Sequence, residues 1–304
     1  MGHRRAVALM VAVTLLWSIA GVVTRHLEAA RSFEVTFWRS AFNALALASG
    51  LTALRGTGMW RRLARAPWPL WLSGLCWSVM FTAFMVAITL TTVANVLITM
   101  SVAPLLTALL ARLLLGHRLP ARTWLAIVAA AAGMTWMFHD GATAGSGALI
   151  GMLVALAVPL AAALNWTVMQ YTSRPGQAEE PGDMLPAVLV GAVISALLTL
   201  PAALPLRASA HDLGLLALLG VVQLAVPCLL AVAVARVLPA PEVALLALLE
   251  VVFGVLWAWI GAGEIPSRST ITGGAVVIAA LLANEWLGMR RRALPAVGGA
   301  EAAR

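Results

Sequence analysis

Residues 243–262 form an unbroken run of twenty residues with a single charge, Glu250, near the middle. Twenty helical residues at ~1.5 Å rise per residue cross a ~30 Å hydrocarbon core, so the run reads as a membrane span with a carboxylate deep inside it. About 147 residues upstream, positions 92–117 (TVANVLITMSVAPLLTALLARLLLGH) repeat the design. A small-residue entry (Ala94; Ala240-Pro241) leads into an apolar run that stops at glycine plus a polar residue (Gly116-His117; Gly263-Glu264).

The rest of the 304-residue chain is consistent with a membrane environment. It is 62% hydrophobic and only 11% charged, where a soluble domain carries about 25% charged residues. It therefore lacks the polar side chains needed to cover a water-facing surface. The formal charge of +8 comes entirely from arginine on the basic side. These arginines cluster in short loops between apolar runs, which points to membrane topology and excludes nucleic acid as a partner. Cys76 and Cys228 both fall within apolar runs and fit neither a disulfide framework nor metal-ligand spacing, so they read as small apolar fillers. The N-terminus (MGHRRAVALMVAVTLLWSIAG) has the look of a signal peptide, but its apolar run continues to Val23 and reads as a retained first helix.

Charged, glycine and proline clusters divide the chain into ten candidate helices, at about 6–24, 34–54, 69–90, 93–115, 123–138, 147–170, 184–204, 213–237, 241–261 and 271–288. The fifth (AIVAAAAGM) and tenth (GGAVVIAALLA) are rich in small residues and are expected to pack closely on neighbours. With the N-terminus inside, fifteen of the twenty arginines fall on the cytoplasmic side and four outside, while Arg39 lies within a span. This places both termini in the cytoplasm.

Trp17 to Arg25 (WSIAGVVTR) and Trp166 to Arg174 (WTVMQYTSR) share a Trp and an Arg eight residues apart, at an offset of 149. The fourth and ninth helices match at 147, and the fifth and tenth at about 148. The expected organisation is thus a five-helix repeat over 1–138, a polar linker at 139–146 (HDGATAGS), a second repeat over 147–289 and a basic tail at 290–304. Because five is odd, the second copy must enter the membrane upside down. The fold class is all-α, with ten transmembrane helices as two inverted five-helix repeats. Inverted repeats are a transporter architecture, with the substrate site near the midplane and alternating access by rocking.

On these residues the chain resembles the drug/metabolite transporter superfamily, in its EamA-like branch of ten-helix carriers. The resemblance rests on Trp17 in LLWS and Trp166 in ALNW, on Pro104 in SVAPLLTALL, and on LPAPEVALLALLEVVFGVLWAWIGAGE in the ninth helix. The chain departs from the family pattern at Val251, where a proline usually follows the glutamate, and at His117, where an acid is usual. The nearest branch is the YddG-type exporters of aromatic and other neutral amino acids, pointed to by the short N-terminus before WS and by ITMSVAPLL. The resemblance implies efflux of small metabolites across the bacterial inner membrane.

Polar groups inside spans are costly, so they tend to face a cavity or another helix. Glu250 is a candidate proton carrier or partner for a substrate ammonium; its structural alternative is a pair with Arg39. Trp17 and Trp166 occupy equivalent mid-span places and offer flat apolar walls, whereas Trp60, Trp68, Trp71, Trp124 and Trp286 sit near span ends as an interfacial belt. Asn165 and Gln223 can both donate and accept, which suits a zwitterionic or amide-bearing solute, or glue between helices. Ser18, Ser78, Thr82, Thr99 and Ser101 are candidate hydroxyl contacts, with back-bonding to their own helix as the alternative. Met80 and Phe81, with Met85 and Met100, offer a soft lining or ordinary packing. Pro104, Pro159 and Pro227 lie inside helices and are candidate hinges.

No Gly-rich phosphate loop, HExxH or GxSxG motif is present, and the five histidines are scattered over span ends and loops. The expectation is a non-enzyme without cofactor or metal, working as a monomer on a small-molecule substrate in contact with membrane lipid. The favoured cargo is aromatic and other neutral amino acids. Coupling by facilitated diffusion, exchange or proton antiport stays open. One alternative is an exporter of cationic drugs or polyamine-like compounds by proton antiport. The other is a membrane-embedded lipid-modifying enzyme, for which the chain lacks clustered acids, His or Ser.

Overall fold

The structure is a computed structural model that describes residues 2–116, 119–143, 146–172, 185–235, 237–238, 243 and 246–293. Among these residues all regular structure is helical. The first half contains α1 (His3–Ser18), α2 (Ala20–Arg25), α3 (Ser32–Arg55), α4 (Gly58–Ala64), α5 (Trp68–Leu90), α6 (Val93–Ser101), α7 (Ala103–Leu115) and α8 (Ala121–Thr143). The second contains α9 (Ser146–Ala155), α10 (Ala157–Thr172), α11 (Leu185–Ala203), α12 (Ala210–Gly220), a π-turn (Val221–Ala225), α13 (Val226–Ala235), α14 (Leu249–Ala262) and α15 (Arg268–Ala293).

Among the described residues, eight helical segments are long and apolar enough to cross a membrane. At the position expected for the second span, α3 has 24 residues but falls outside that set. It carries Glu34, Arg39, Ser40 and Asn43, and buries all four. At the position of the ninth, α14 is apolar but only 14 residues long.

Along the expected linker 139–146, α8 runs on to Thr143 and α9 begins at Ser146. Two sequence expectations are corrected. The run around Glu250 is not one continuous helix, because Leu248 forms a turn before α14 (φ −63°, ψ −20°). This interruption forms without the proline whose place Val251 takes. The tenth helix is longer than expected, from Arg268 to Ala293. The departure at His117 and the end of the basic tail, 294–304, lie outside the described residues.

Further interruptions divide other spans. α1 and α2 are separated by Ile19 alone (ψ −11°), and α6 and α7 by Val102 alone (ψ −4°). A helical ψ is near −42°, so each of these residues flattens one turn. In both cases the preceding serine donates its hydroxyl back to its own helix, Ser18 to the Leu15 carbonyl at 2.8 Å and Ser101 to the Ile98 carbonyl at 2.7 Å. Such back-bonding bends helices. The candidate hinge prolines lie just past the breaks: Pro104 is the second residue of α7, Pro159 the third of α10 and Pro227 the second of α13. Each lacks the N–H that would reach back one turn.

Close approaches fix how the helices pack. The fifth and tenth helices were expected to pack closely on neighbours, and they do so on each other: α15 lies along α8, with Gly133 facing Gly273. A Cβ on Gly133 would stand 2.6 Å from the Gly273 carbonyl oxygen, and one on Gly273 would stand 2.5 Å from that of Gly133. α5 and α11 meet through Gly74 and Gly191 in the same way. α3, α5 and α11 form one packed group, α10 lies on α5 and α7, and α1 lies against α13 and α14. The belt residues Trp60, Trp68, Trp71, Trp124 and Trp286 are all exposed on the outer surface.

Gly273→Ala should lower stability by about 1–3 kcal/mol by forcing α8 and α15 apart, read as a lower melting temperature in detergent. Gly50→Ala meets open space and should be neutral or stabilising by up to about 1 kcal/mol.

Candidate functional site

The interior holds one charged relay. α3 carries Arg39, which is 2% exposed. Its Nε and Nη2 donate to Gln223 Oε1 at 3.2 and 2.9 Å. Gln223 lies in the π-turn, and its Nε2 donates to the Trp17 carbonyl oxygen at 3.1 Å, in the last turn of α1 before the break at Ile19. The π-turn, Pro227 and the break thus present a carbonyl and an amide to the centre instead of closing regular helices. The Arg39 guanidinium also sits over the Phe84 ring, 5.5 Å from its centroid, a cation–π contact. Its Nη1 has no partner among the described residues.

Glu250 stands in the first turn of α14 and is half-buried. It makes no ion pair with Arg39 within 4.0 Å. Gly254, one turn on, lets α14 approach α6 at Leu97 and brings it near the Ser18 carbonyl. The two ionisable groups, one from each half of the chain, thus lie on either side of the break in the first span.

The remaining candidates divide. Thr82 shares a hydrogen bond with Ser195 at 2.9 Å, and Ser195 shares another with Ser40 at 2.9 Å, so Thr82 ties α5 to α11 and α3. Ser78 is buried where α5 meets Gly191 of α11. Ser18 and Ser101 satisfy their own helices, as described above. Thr99 and Asn165 are fully buried, and Thr99 Oγ1 and Asn165 Oδ1 have no partner. Phe81 is buried against Trp77 at 5.5 Å between ring centroids. Met80 and Met100 are half-buried against the main core, in which Met85 is enclosed. Trp166 lies on α10, but its side chain is outside the described residues. Both cysteines are free and buried. Among the described residues no three of His, Cys, Asp and Glu converge as a metal would need.

Sequence reasoning gave Arg39 only a structural part and overlooked its neighbours on α3. Arg39 and Asn43 are one helical turn apart, a spacing that puts both on one face. That signal was present in the sequence. Both amide atoms of Asn43 are buried without a partner.

A second polar set closes the end of the bundle where α2, α5, α11 and α14 finish. Asp212 accepts from the backbone N–H groups of Glu28, Ala29 and Ala30 at 2.8, 2.9 and 2.9 Å. It also forms a capping box with Ser209 at the start of α12. Glu34 Oε1 accepts from the N–H groups of Arg207 and Ala208 at 2.7 and 2.8 Å. Gly263 ends α14 in the left-handed region (φ +65°), and the following Glu264 pairs with Arg25 at 2.9 Å and accepts from the Val93 N–H. Arg25 also donates to the Ile88 and Thr91 carbonyls at 2.8 Å each. All three carboxylates join the first half of the chain to the second. Beside them lies a cavity of about 610 Å³ lined by Arg25, Thr89, Asn95, Glu264 and Thr270 among others.

These features describe a multi-pass helical membrane protein with interrupted helices around a polar centre. The model of the EamA-like transporter family matches residues 4–139 and again residues 149–284. The chain belongs to that family, whose members are membrane transporters of small molecules. No curated protein matches the sequence. One solved structure, titled only "Crystal structure of protein", is similar in fold, with a TM-score of 0.62 and 18% identity over 95% of this chain and 99% of the other.

Removing the Asp212 carboxylate leaves several N–H groups without their acceptor. Asp212→Ala should cost about 1–3 kcal/mol, read by thermal unfolding, with Asp212→Asn falling between because one carbonyl oxygen remains. A melting temperature unchanged in both variants would show that these bonds contribute nothing.

Proposed function

We propose that the protein is a secondary carrier that exports aromatic and other neutral amino acids, as YddG-type members do, from the bacterial cytoplasm across the inner membrane. The observation that carries this reading is the buried Arg39 of the first half, held by Gln223 of the second half beside the interruption of the first span, with Glu250 in the first turn of the interrupted ninth span. Charged groups inside a membrane protein are costly and mark substrate or ion pathways. Discontinuous helices near the midplane are where carriers of this kind hold their substrates. The double family match supports two repeats in one chain, and a site completed within one chain supports a functional monomer.

Transport proceeds by alternating access, with the two repeats rocking about the central site and both termini in the cytoplasm. The end tied by Asp212, Glu34 and Glu264 is closed to the periplasm, and opening it breaks bonds between the repeats. Breaks beside Pro104, Pro159 and Pro227 supply the bends. Binding is modest, because tight binding in one state slows release. Export of lipophilic cations is the second reading; Glu250 favours it and Arg39 opposes it.

The test is uptake of labelled Met, Thr, Leu and Phe into proteoliposomes, with and without a proton gradient. Saturable uptake is the expected outcome, and absence of amino-acid flux would move the cargo to cationic compounds. Glu250→Gln should lower uptake by about tenfold or more, the loss of one charge-assisted contact. Unchanged transport with unchanged pH dependence would remove Glu250 from the machinery.

A further inference from the structure

Arg39 is held in an unusual way for a buried cation. A guanidinium shut away from water needs a compensating charge or a full set of acceptors. Among the described residues Arg39 has neither: its hydrogen-bonded partner is a neutral amide oxygen, no carboxylate lies within 4.0 Å, and Nη1 is buried without an acceptor.

The arrangement is nevertheless rigidly set. Nε and Nη2 are both fixed on Gln223 Oε1, Gln223 is fixed in turn on the Trp17 carbonyl, and Phe84 lies under the plane. The plane of the guanidinium is therefore oriented before anything binds, and one nitrogen is left buried without a partner among the described residues. Packing alone does not call for this. An apolar residue of similar volume would fill the place without the cost of desolvation.

We propose that the open Nη1 of Arg39 anchors the carboxylate of the transported solute, and that Glu250 takes its ammonium. This rests on the amino-acid reading above and names how that class is recognised. A monoanion matches a single open donor. A solute of higher negative charge would be repelled by Glu250, and a simple cation would be repelled by Arg39. A zwitterion meets both charges at once. Gln223 is a positioning residue, since it acts by orienting Arg39.

The experiment measures competition against labelled Leu uptake by unlabelled Leu and by leucinamide, which keeps the amine and side chain but lacks the carboxylate. In wild type, leucinamide should compete about tenfold or more worse than Leu, the value of a charge-assisted bond. In Arg39→Gln, Leu should weaken to the level of leucinamide, while leucinamide should change by less than about threefold. Arg39→Lys keeps the charge and loses the planar fork, and serves if Arg39→Gln does not give a monodisperse, cooperatively melting protein. It should weaken Leu and spare leucinamide. Equal competition by the two ligands in wild type, or parallel losses for both in a folded variant, overturns the proposal.

Failure of the amino-acid reading looks different: wild type then moves none of the four amino acids. In that case 4-methylpentanoate, a carboxylate without the amine, is tested by thermal shift. Stabilisation of wild type but not of Arg39→Lys would uphold the anchor, and no carboxylate-dependent shift would overturn it.

Discussion

A chain in hydrocarbon has to pair its own backbone N–H and C=O groups, because no water is there to do so. Every described element here is helical for that reason. The same rule makes each interruption informative, since a broken turn frees groups that must be met some other way. At Ile19 and Val102 a serine hydroxyl returns to a carbonyl three residues back. In the π-turn a side-chain amide crosses to the Trp17 carbonyl and in doing so fixes Arg39. The polar centre follows from how the broken helices are repaired.

The two ends of the bundle are joined by different physics. At one end, carboxylates of Glu34, Asp212 and Glu264 reach from one half of the chain to the backbone or side chains of the other. At the other, Ala6, Met10 and Val13 of α1 pack on Val234 and Leu238. Hydrogen bonds are directional and break within a small displacement, whereas apolar contacts slide and re-form. The joint at the first end therefore gives way sharply under displacement, and the one at the second gradually.

Much of this was legible from residue type and spacing. The apolar runs located most of the helices, because twenty-residue hydrophobicity is a strong signal, while the ninth and tenth differ in extent. Gly133 and Gly273 announced the α8–α15 contact through the small-residue stretches around them. Gln223 stands out in the sequence for its polarity at mid-depth, and its bonds to Arg39 and Trp17 are of the kind expected of glue between helices. Arg39 was underrated because pairing depends on where α3 meets the π-turn, 184 residues away in the chain, and no local pattern reports that distance. The interruption at Leu248 carried no proline. The closing set at Asp212 and Glu34 uses backbone N–H donors, which every residue but proline has, so no sequence pattern marks them.

That last feature bears on how the protein tolerates change. The bonds made by Asp212 and Glu34 end on the main chain of residues 28–30 and 207–208. Their side chains are spectators to those bonds. At the exposed Glu28 and Arg207 a substitution can alter charge, size or polarity and leave the joint in place, provided proline is avoided. Ala30 and Ala208 are held by a second requirement, since both pack into the main core. The two acids have no such latitude. The joint thus places its own sequence requirement on two positions and leaves the exposed ones that face them free to diverge.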